Sequence, residues 1–204
     1  DEDEYGTYIM NSRDLCAIDY IEDLVHAWII SFKVEGRNKT VNYIASTGLA
    51  YKEALRAVEA WEKYDVQKLA AELFSIANRG YIPGFLAGNP GANAQFYERN
   101  GGFQTKVFLG IIRNFDEKNK LARIEVKNKF NIWDDIEIVT PEWTFPSKVQ
   151  TIKKIMTANN STGREGLRPE EYDERLSEDA TSAHGWGYEV WINMEKNYGD
   201  FALI

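Results

Sequence analysis

The hydrophobic period of this chain changes once, and that change limits what it can fold into. Before about Thr105 the apolar residues recur every three or four positions, with one short alternating run. Beyond it they alternate in short segments split by Asn, Asp, Gly and Pro. Helix grammar followed by strand grammar predicts two domains, residues 1–100 and 101–204. Asp14 stands where an N-cap belongs, ahead of Leu15, Ile18, Ile21, Leu24 and Val25, so a helix is expected to run to about Ala27. A strand is expected over Ile29–Glu35, with Ile30, Phe32 and Val34 on one face. Thr40 and Asp65 are read as caps of two further helices. The first carries the stripe Ile44, Gly48, Tyr51, Leu55 and Val58; the second carries Leu69, Leu73 and Ile76 and stops at Gly80. The Gly- and Pro-rich stretch Tyr81–Asn100 reads as an ordered connection anchored by Phe85, Leu86, Phe96 and Tyr97.

In the second half, strands are expected at Lys106–Asn114, Leu121–Lys127, Ile136–Thr140, Ser147–Ile155 and Tyr188–Asn193, with a turn at Asp116–Asn119. Five or six short strands point to a small closed barrel, which leaves no exposed edge. Residues 159–182 are polar and acidic and read as a mobile excursion between the last two strands.

Composition narrows the function classes. Thirty-two acidic against twenty-four basic side chains give a net charge of −8, so the chain as a whole repels polyphosphate and any RNA contact must be local. The single cysteine, Cys16, cannot form an intrachain disulfide or by itself ligate a four-thiolate metal site. A reducing compartment, the cytoplasm, fits that usage. No apolar run approaches the roughly 18 residues needed to cross a bilayer, so no membrane partner is expected.

The run Ser31-Phe32-Lys33-Val34-Glu35-Gly36-Arg37 holds the informative chemistry. Charged residues on an alternating strand usually just face water. Helices on both sides, however, are the grammar of a parallel sheet or α/β barrel, whose other strand face points inward. Lys33 and Glu35 would then be interior charges near a strand's carboxyl end, with Arg37 in the loop beyond. Burying them costs several kcal/mol per ion unless they are paired or used. We favour use: Lys33 and Arg37 to hold an anionic group, and Glu35 to orient one of them or accept a proton. No metal-ligand spacing surrounds His26, and His184 and Trp186 sit in a glycine-rich turn. Lys120, Arg123, Lys127 and Lys129 cluster with Phe130 and Trp133, the cation-plus-ring pattern of RNA-contacting barrels. The plainer reading, a solvated strand face over a core holding both rings, is favoured by the acidic balance.

Several stretches together resemble a known family. They are Tyr5 through Cys16, which contains Asn11-Ser12-Arg13-Asp14-Leu15, then Ser31 through Arg37, Tyr43-Ile44-Ala45 and Gly84 through Gly88. In order and spacing they resemble the collagenase-like peptidase family U32, and the long form looks like its tRNA uridine 5-hydroxylation branch. The resemblance implies an α+β chain: the C-terminal remnant of an α/β (TIM-like) barrel with helices, followed by a small antiparallel β-barrel. It implies that the upstream part of the same polypeptide completes the catalytic region and holds an iron–sulfur cluster, with prephenate-related chemistry, and that tRNA is the partner. Two alternatives stand beside it: a non-catalytic RNA- or protein-binding barrel, and part of a collagenase-like protease. The sequence departs from the family pattern at Trp28, Ile30 and Asn38, where Gly, Asp and Met are usual.

Overall fold

A computed structural model describes residues 2–3, 6–7, 12–97, 102–142, 144–155, 177–180, 182–183 and 189–199. The chain divides into two units, residues 1–107 and 108–204.

The first unit opens with the paired strands β1 (Glu2–Asp3) and β2 (Gly6–Thr7). Strand β3 (Asp14–Leu15) runs parallel to β4 (Tyr81–Ile82). Between β3 and β4 lie α1 (Ile21–His26), entered through a 3-10 turn at Ile18–Tyr20, then α2 (Val41–Glu59) and α3 (Val66–Ser75). The helix expected from Asp14 therefore starts later. Asp14 does not cap it, because its carboxylate is claimed by distant cations.

The other two caps form as the sequence predicts. Thr40 Oγ1 accepts from the Tyr43 N–H at 3.2 Å, and Asp65 Oδ1 accepts from the Lys68 N–H at 2.9 Å. The inward face of α2 is Thr47, Ala50, Ala54 and Ala57. The expected stripe is turned aside: Tyr51, Leu55 and Val58 flank the core and Ile44 is exposed. Small residues on this face let a neighbouring helix approach closely, and Ala50 and Ala54 pack with Ile18, Ile21, Leu69 and Leu73. Helix α3 ends at Ser75 and not at Gly80, because Asn78 Nδ2 caps the carbonyls of Phe74 and Ile76 at 3.1 and 2.8 Å.

Helices α1 and α2 end alike. The Trp28 and Ile29 N–H groups donate to the carbonyls of Val25 and Leu24, at 2.9 and 3.0 Å. The Trp61 and Glu62 N–H groups repeat the pattern onto Val58 and Ala57, at 3.1 and 2.8 Å. Both are Schellman caps, whose left-handed residue is usually glycine. Here tryptophan occupies it twice, with φ of 62° and 57°, at a cost of roughly 1 kcal/mol each.

Ile29–Glu35 is not a strand. Phe32 packs on the helical core, but Ile30 is 94% exposed. A strand is defined by its ladder, and among the described residues no strand pairs with this segment. Of the expected anchors in Tyr81–Asn100, Phe96 is buried, whereas Phe85, Leu86 and Tyr97 face solvent.

The second unit is antiparallel. Its strands are β5 (Gly110–Asp116), β6 (Leu121–Val126), β7 (Phe130–Asn131), β8 (Asp135–Val139), β9 (Thr144–Lys148), β10 (Ile152–Ile155), β11 (Ser177–Ala180), β12 (Ser182–Ala183) and β13 (Glu189–Asn193). Five of them form one sheet in the order β11-β10-β13-β6-β5, and β8–β9 and β7–β12 pair separately. The period of two is strict in β6, where Ala122, Ile124 and Val126 point inward between Leu121, Arg123 and Glu125. The core joins these to Ile112, Phe130, Ile136, Ile138, Val149, Ile152, Val190 and Ile192.

Three expectations for this half change. The single strand over Ser147–Ile155 is two strands, because the Asn193 side chain accepts from the Gln150 and Thr151 N–H groups at 2.7 and 2.9 Å and fixes a corner. Residues 177–180, expected within a mobile excursion, pair with β10; the rest of that excursion up to residue 176, like His184 and Trp186, lies outside the described residues. The barrel does not close: among the described residues the five-stranded ladder ends at β5 and β11, and closure requires those edges to meet.

Candidate functional site

The segment leaving α1 brings Lys33, Glu35 and Arg37 to the surface. Lys33 Nζ stands 3.8 Å from Glu35 Oε2, with the two side chains 86% and 69% exposed. They are not interior charges within these two units. The local turn is nevertheless ordered by its own polar groups. The Arg37 N–H donates to Glu35 Oε1 at 3.1 Å, and the Lys39 N–H donates to the Gly36 carbonyl at 3.0 Å. Val34, Gly36, Arg37, Lys39, Ile44 and Gly48 line an open cleft of about 540 Å³ beside that turn. It sets the Arg37 side chain beside an apolar wall of Val34 and Ile44, which suits a small anion with an apolar body.

One end of the turn is tied to the core through a residue that sequence reasoning missed as a site component. Lys39 Nζ pairs with Asp14 Oδ2 at 2.9 Å and lies 4.9 Å from the centre of the Tyr43 ring. Asp14 also accepts from the Arg79 N–H at 3.0 Å and from Arg79 Nη2 at 3.1 Å. Only 10% of its side chain is exposed. Burial pushes the Asp14 carboxyl up, but the donors on Lys39 and Arg79 outweigh it and hold the carboxyl below its ordinary value. Asp14 was visible in the sequence as a cap-like residue, and Lys39 lies two residues after Arg37. Nothing local pairs them across 25 residues.

Around Asp14 lies a set of phenols. Tyr51 Oη accepts from the Ala17 N–H at 2.9 Å and sits 3.6 Å from Cys16 Sγ. Burial, followed by the neighbouring Cys16, raises the Tyr51 hydroxyl well above the usual phenol range. Burial does the same for Tyr81, whose Oη is enclosed. These phenols stay protonated and neutral at physiological pH. An iron–sulfur cluster takes several thiolates, and the one sulfur of cysteine here is buried against Tyr51. The residues of this chain do not fit such a group. Among the described residues no cluster of three His, Cys, Asp or Glu could hold a metal ion, and no helix is long and apolar enough to cross a membrane.

The second unit distributes its expected RNA-binding cations unevenly. Arg123 Nη1 pairs with Glu189 at 3.3 Å, and Lys127 pairs with Glu125, which also takes Arg113. The Lys127 and Arg113 donors hold the Glu125 carboxyl below its ordinary value. Lys120 reaches Glu117 at 2.9 Å on the surface, and Lys129 is exposed. Phe130 belongs to the core, as the plainer reading held, but Trp133 is exposed and not in the core.

Comparison with known proteins covers nearly the whole chain. The model of peptidase family U32 matches residues 1–96, and that of the family's C-terminal domain matches residues 104–204. A tRNA hydroxylation protein P from Escherichia coli is 33% identical over 97% of this chain and 40% of its own length. A tRNA hydroxylation protein P from Haemophilus influenzae is 34% identical over 79% of this chain and 34% of its own. A collagenase from Porphyromonas gingivalis is 26% identical over 76% of this chain and 39% of its own. The chain thus spans well under half the length of these relatives. With one family model on each unit, this chain belongs to peptidase family U32.

Proposed function

We propose that this chain is the C-terminal part of an enzyme that hydroxylates tRNA uridine at carbon 5 in the cytoplasm. The observation that carries the reading is the 33% identity, over 97% of this chain, to a protein named for tRNA hydroxylation. In this reading the segment Ile29–Glu35 adds as a parallel strand to an α/β barrel formed with polypeptide upstream. Its alternating pattern supports that role, as do the exposed apolar side chains of Ile30 and Val34 and of Val41 and Ile44 on α2. Strand addition turns Lys33 and Glu35 inward and sets Arg37 at the barrel's carboxyl end, where such barrels do their chemistry.

Lys33 and Arg37 then hold an anionic group, and Glu35 orients one of them or accepts a proton. The cleft beside Arg37, with Val34 and Ile44 as its apolar wall, suits prephenate. The iron–sulfur cluster is assigned to upstream residues, since this chain lacks the thiolates. The second unit presents tRNA contacts through Lys120, Arg123, Lys127 and Lys129 with Trp133. Arg123 and Lys127 are held in half-buried pairs, whereas the Lys120–Glu117 pair is exposed and readily exchanged, so Lys120, Lys129 and Trp133 contribute most of the new contact. The test is mass spectrometry of nucleosides from the tRNA of a strain lacking the gene. Loss of 5-hydroxyuridine, restored by the full-length gene, is expected; an unchanged level contradicts the proposal. The similarity to a collagenase motivates a second reading, peptide hydrolysis, which digestion of collagen by the full-length protein would support and inert collagen would dismiss.

A further inference from the structure

We propose that Trp28 and Trp61 form a docking site for an arginine-bearing segment of a partner protein. Each side chain is 88% exposed, and each residue holds the left-handed backbone that caps its helix. The capping hydrogen bonds are made by backbone N–H groups, so glycine would serve the fold better at both positions. Neither ring is used by the core. Strain kept at two exposed positions is a reason to look for a use outside the fold.

The two positions belong to one end of the helical layer. The ring of His26, the last residue of α1, lies 6.2 Å from that of Trp61 at an interplanar angle of 34°, and Trp28 follows two residues later. The rim is acidic on balance: Glu22 and Asp23 are exposed on α1, and exposed Glu59 and Glu62 flank Trp61, against the exposed cation Lys63 beyond Glu62. Arg56 offsets part of this by pairing with Glu53 at 3.1 Å and Glu62 at 3.5 Å.

Indole faces attract cations, and a planar guanidinium stacks on them better than an ammonium does. The same carboxylates repel phosphate, which argues against nucleic acid as the occupant. None of this uses Lys33, Glu35 or Arg37. In an α/β barrel the helix carboxyl ends stand opposite the catalytic end, so both tryptophans would stay accessible there.

The test titrates the full-length protein by calorimetry with a dodecapeptide of alternating Arg and Gly, and with its Lys counterpart. The double variant Trp28→Gly, Trp61→Gly leaves the net charge unchanged. It is expected to weaken the Arg peptide roughly tenfold, the scale of one to two lost cation–π contacts, without lowering the melting temperature. The Arg peptide should also bind more tightly than the Lys peptide. Unchanged affinity in the double variant would reduce the attraction to net charge and overturn the proposal. A lowered melting temperature would do the same, by showing that the rings serve the fold. So would a single-stranded RNA, or a second copy of the chain seen by sedimentation, whose binding is lost in the same variant.

Discussion

Asp14→Ala should cost the first unit about 2–3 kcal/mol. The carboxylate receives three donors, Lys39 Nζ at 2.9 Å, the Arg79 N–H at 3.0 Å and Arg79 Nη2 at 3.1 Å. Removing one partner of a fully buried pair costs about 3–5 kcal/mol, but the Lys39 and Arg79 side chains are 27% and 40% exposed and can rehydrate. The Arg79 N–H is left without its acceptor, which supports the upper half of the reduced range. For a unit of this size the loss corresponds to a melting-temperature drop of roughly 8–15 °C. Thermal unfolding followed by circular dichroism reads it, and Lys39→Met completes a double-mutant cycle. The pH dependence has a definite sign. The folded pKa of Asp14 lies below its unfolded value, so its contribution is full above about pH 4 and fades as the pH falls through the folded pKa. The variant should lack that acid-limb loss. A change under about 0.5 kcal/mol, or strict additivity with Lys39→Met, would refute the reasoning.

Thr40→Ala removes the acceptor for the Tyr43 N–H and should cost about 1 kcal/mol in chemical denaturation. In the second unit Ile138 is fully buried, and Ile138→Ala should cost about 2–5 kcal/mol, read as a lower denaturation midpoint for that unit. A side chain at Gly110 would meet the Glu125 carbonyl at 2.6 Å and Ile124 Cγ2 at 2.7 Å. Gly110→Ala should therefore destabilise the β5–β6 pairing by about 1–3 kcal/mol, seen as faster amide exchange in β6.

Local features were legible in the sequence because local physics decides them. Thr40 and Asp65 cap their helices with hydrogen bonds only three residues long. The alternation of β6 and the Asp116 turn likewise need no distant partner, since Asp116 Oδ1 accepts from the Lys118 and Asn119 N–H groups at 2.9 and 3.1 Å. Features that depend on distant neighbours were not legible. Ile29–Glu35 has the alternation of a strand, but a strand exists only where a ladder receives it. Asp14 has the chemistry of a cap, yet two cations 25 and 65 residues away take its oxygens. Nor could alternation reveal that Asn193 breaks Ser147–Ile155 at a corner. At the candidate site, Lys33, Glu35 and Arg37 were visible as residue types, while the Asp14–Lys39 tie that steadies their turn came only from tertiary structure.

The most direct measurement is the 5-hydroxyuridine content of tRNA from a gene-deleted strain carrying the full-length protein with Arg37→Ala, Lys33→Ala or Glu35→Gln. We predict that each variant accumulates to the normal protein level and leaves the modification largely missing. Normal 5-hydroxyuridine with all three variants would contradict the account, because the turn they occupy would then be a solvated loop and nothing more.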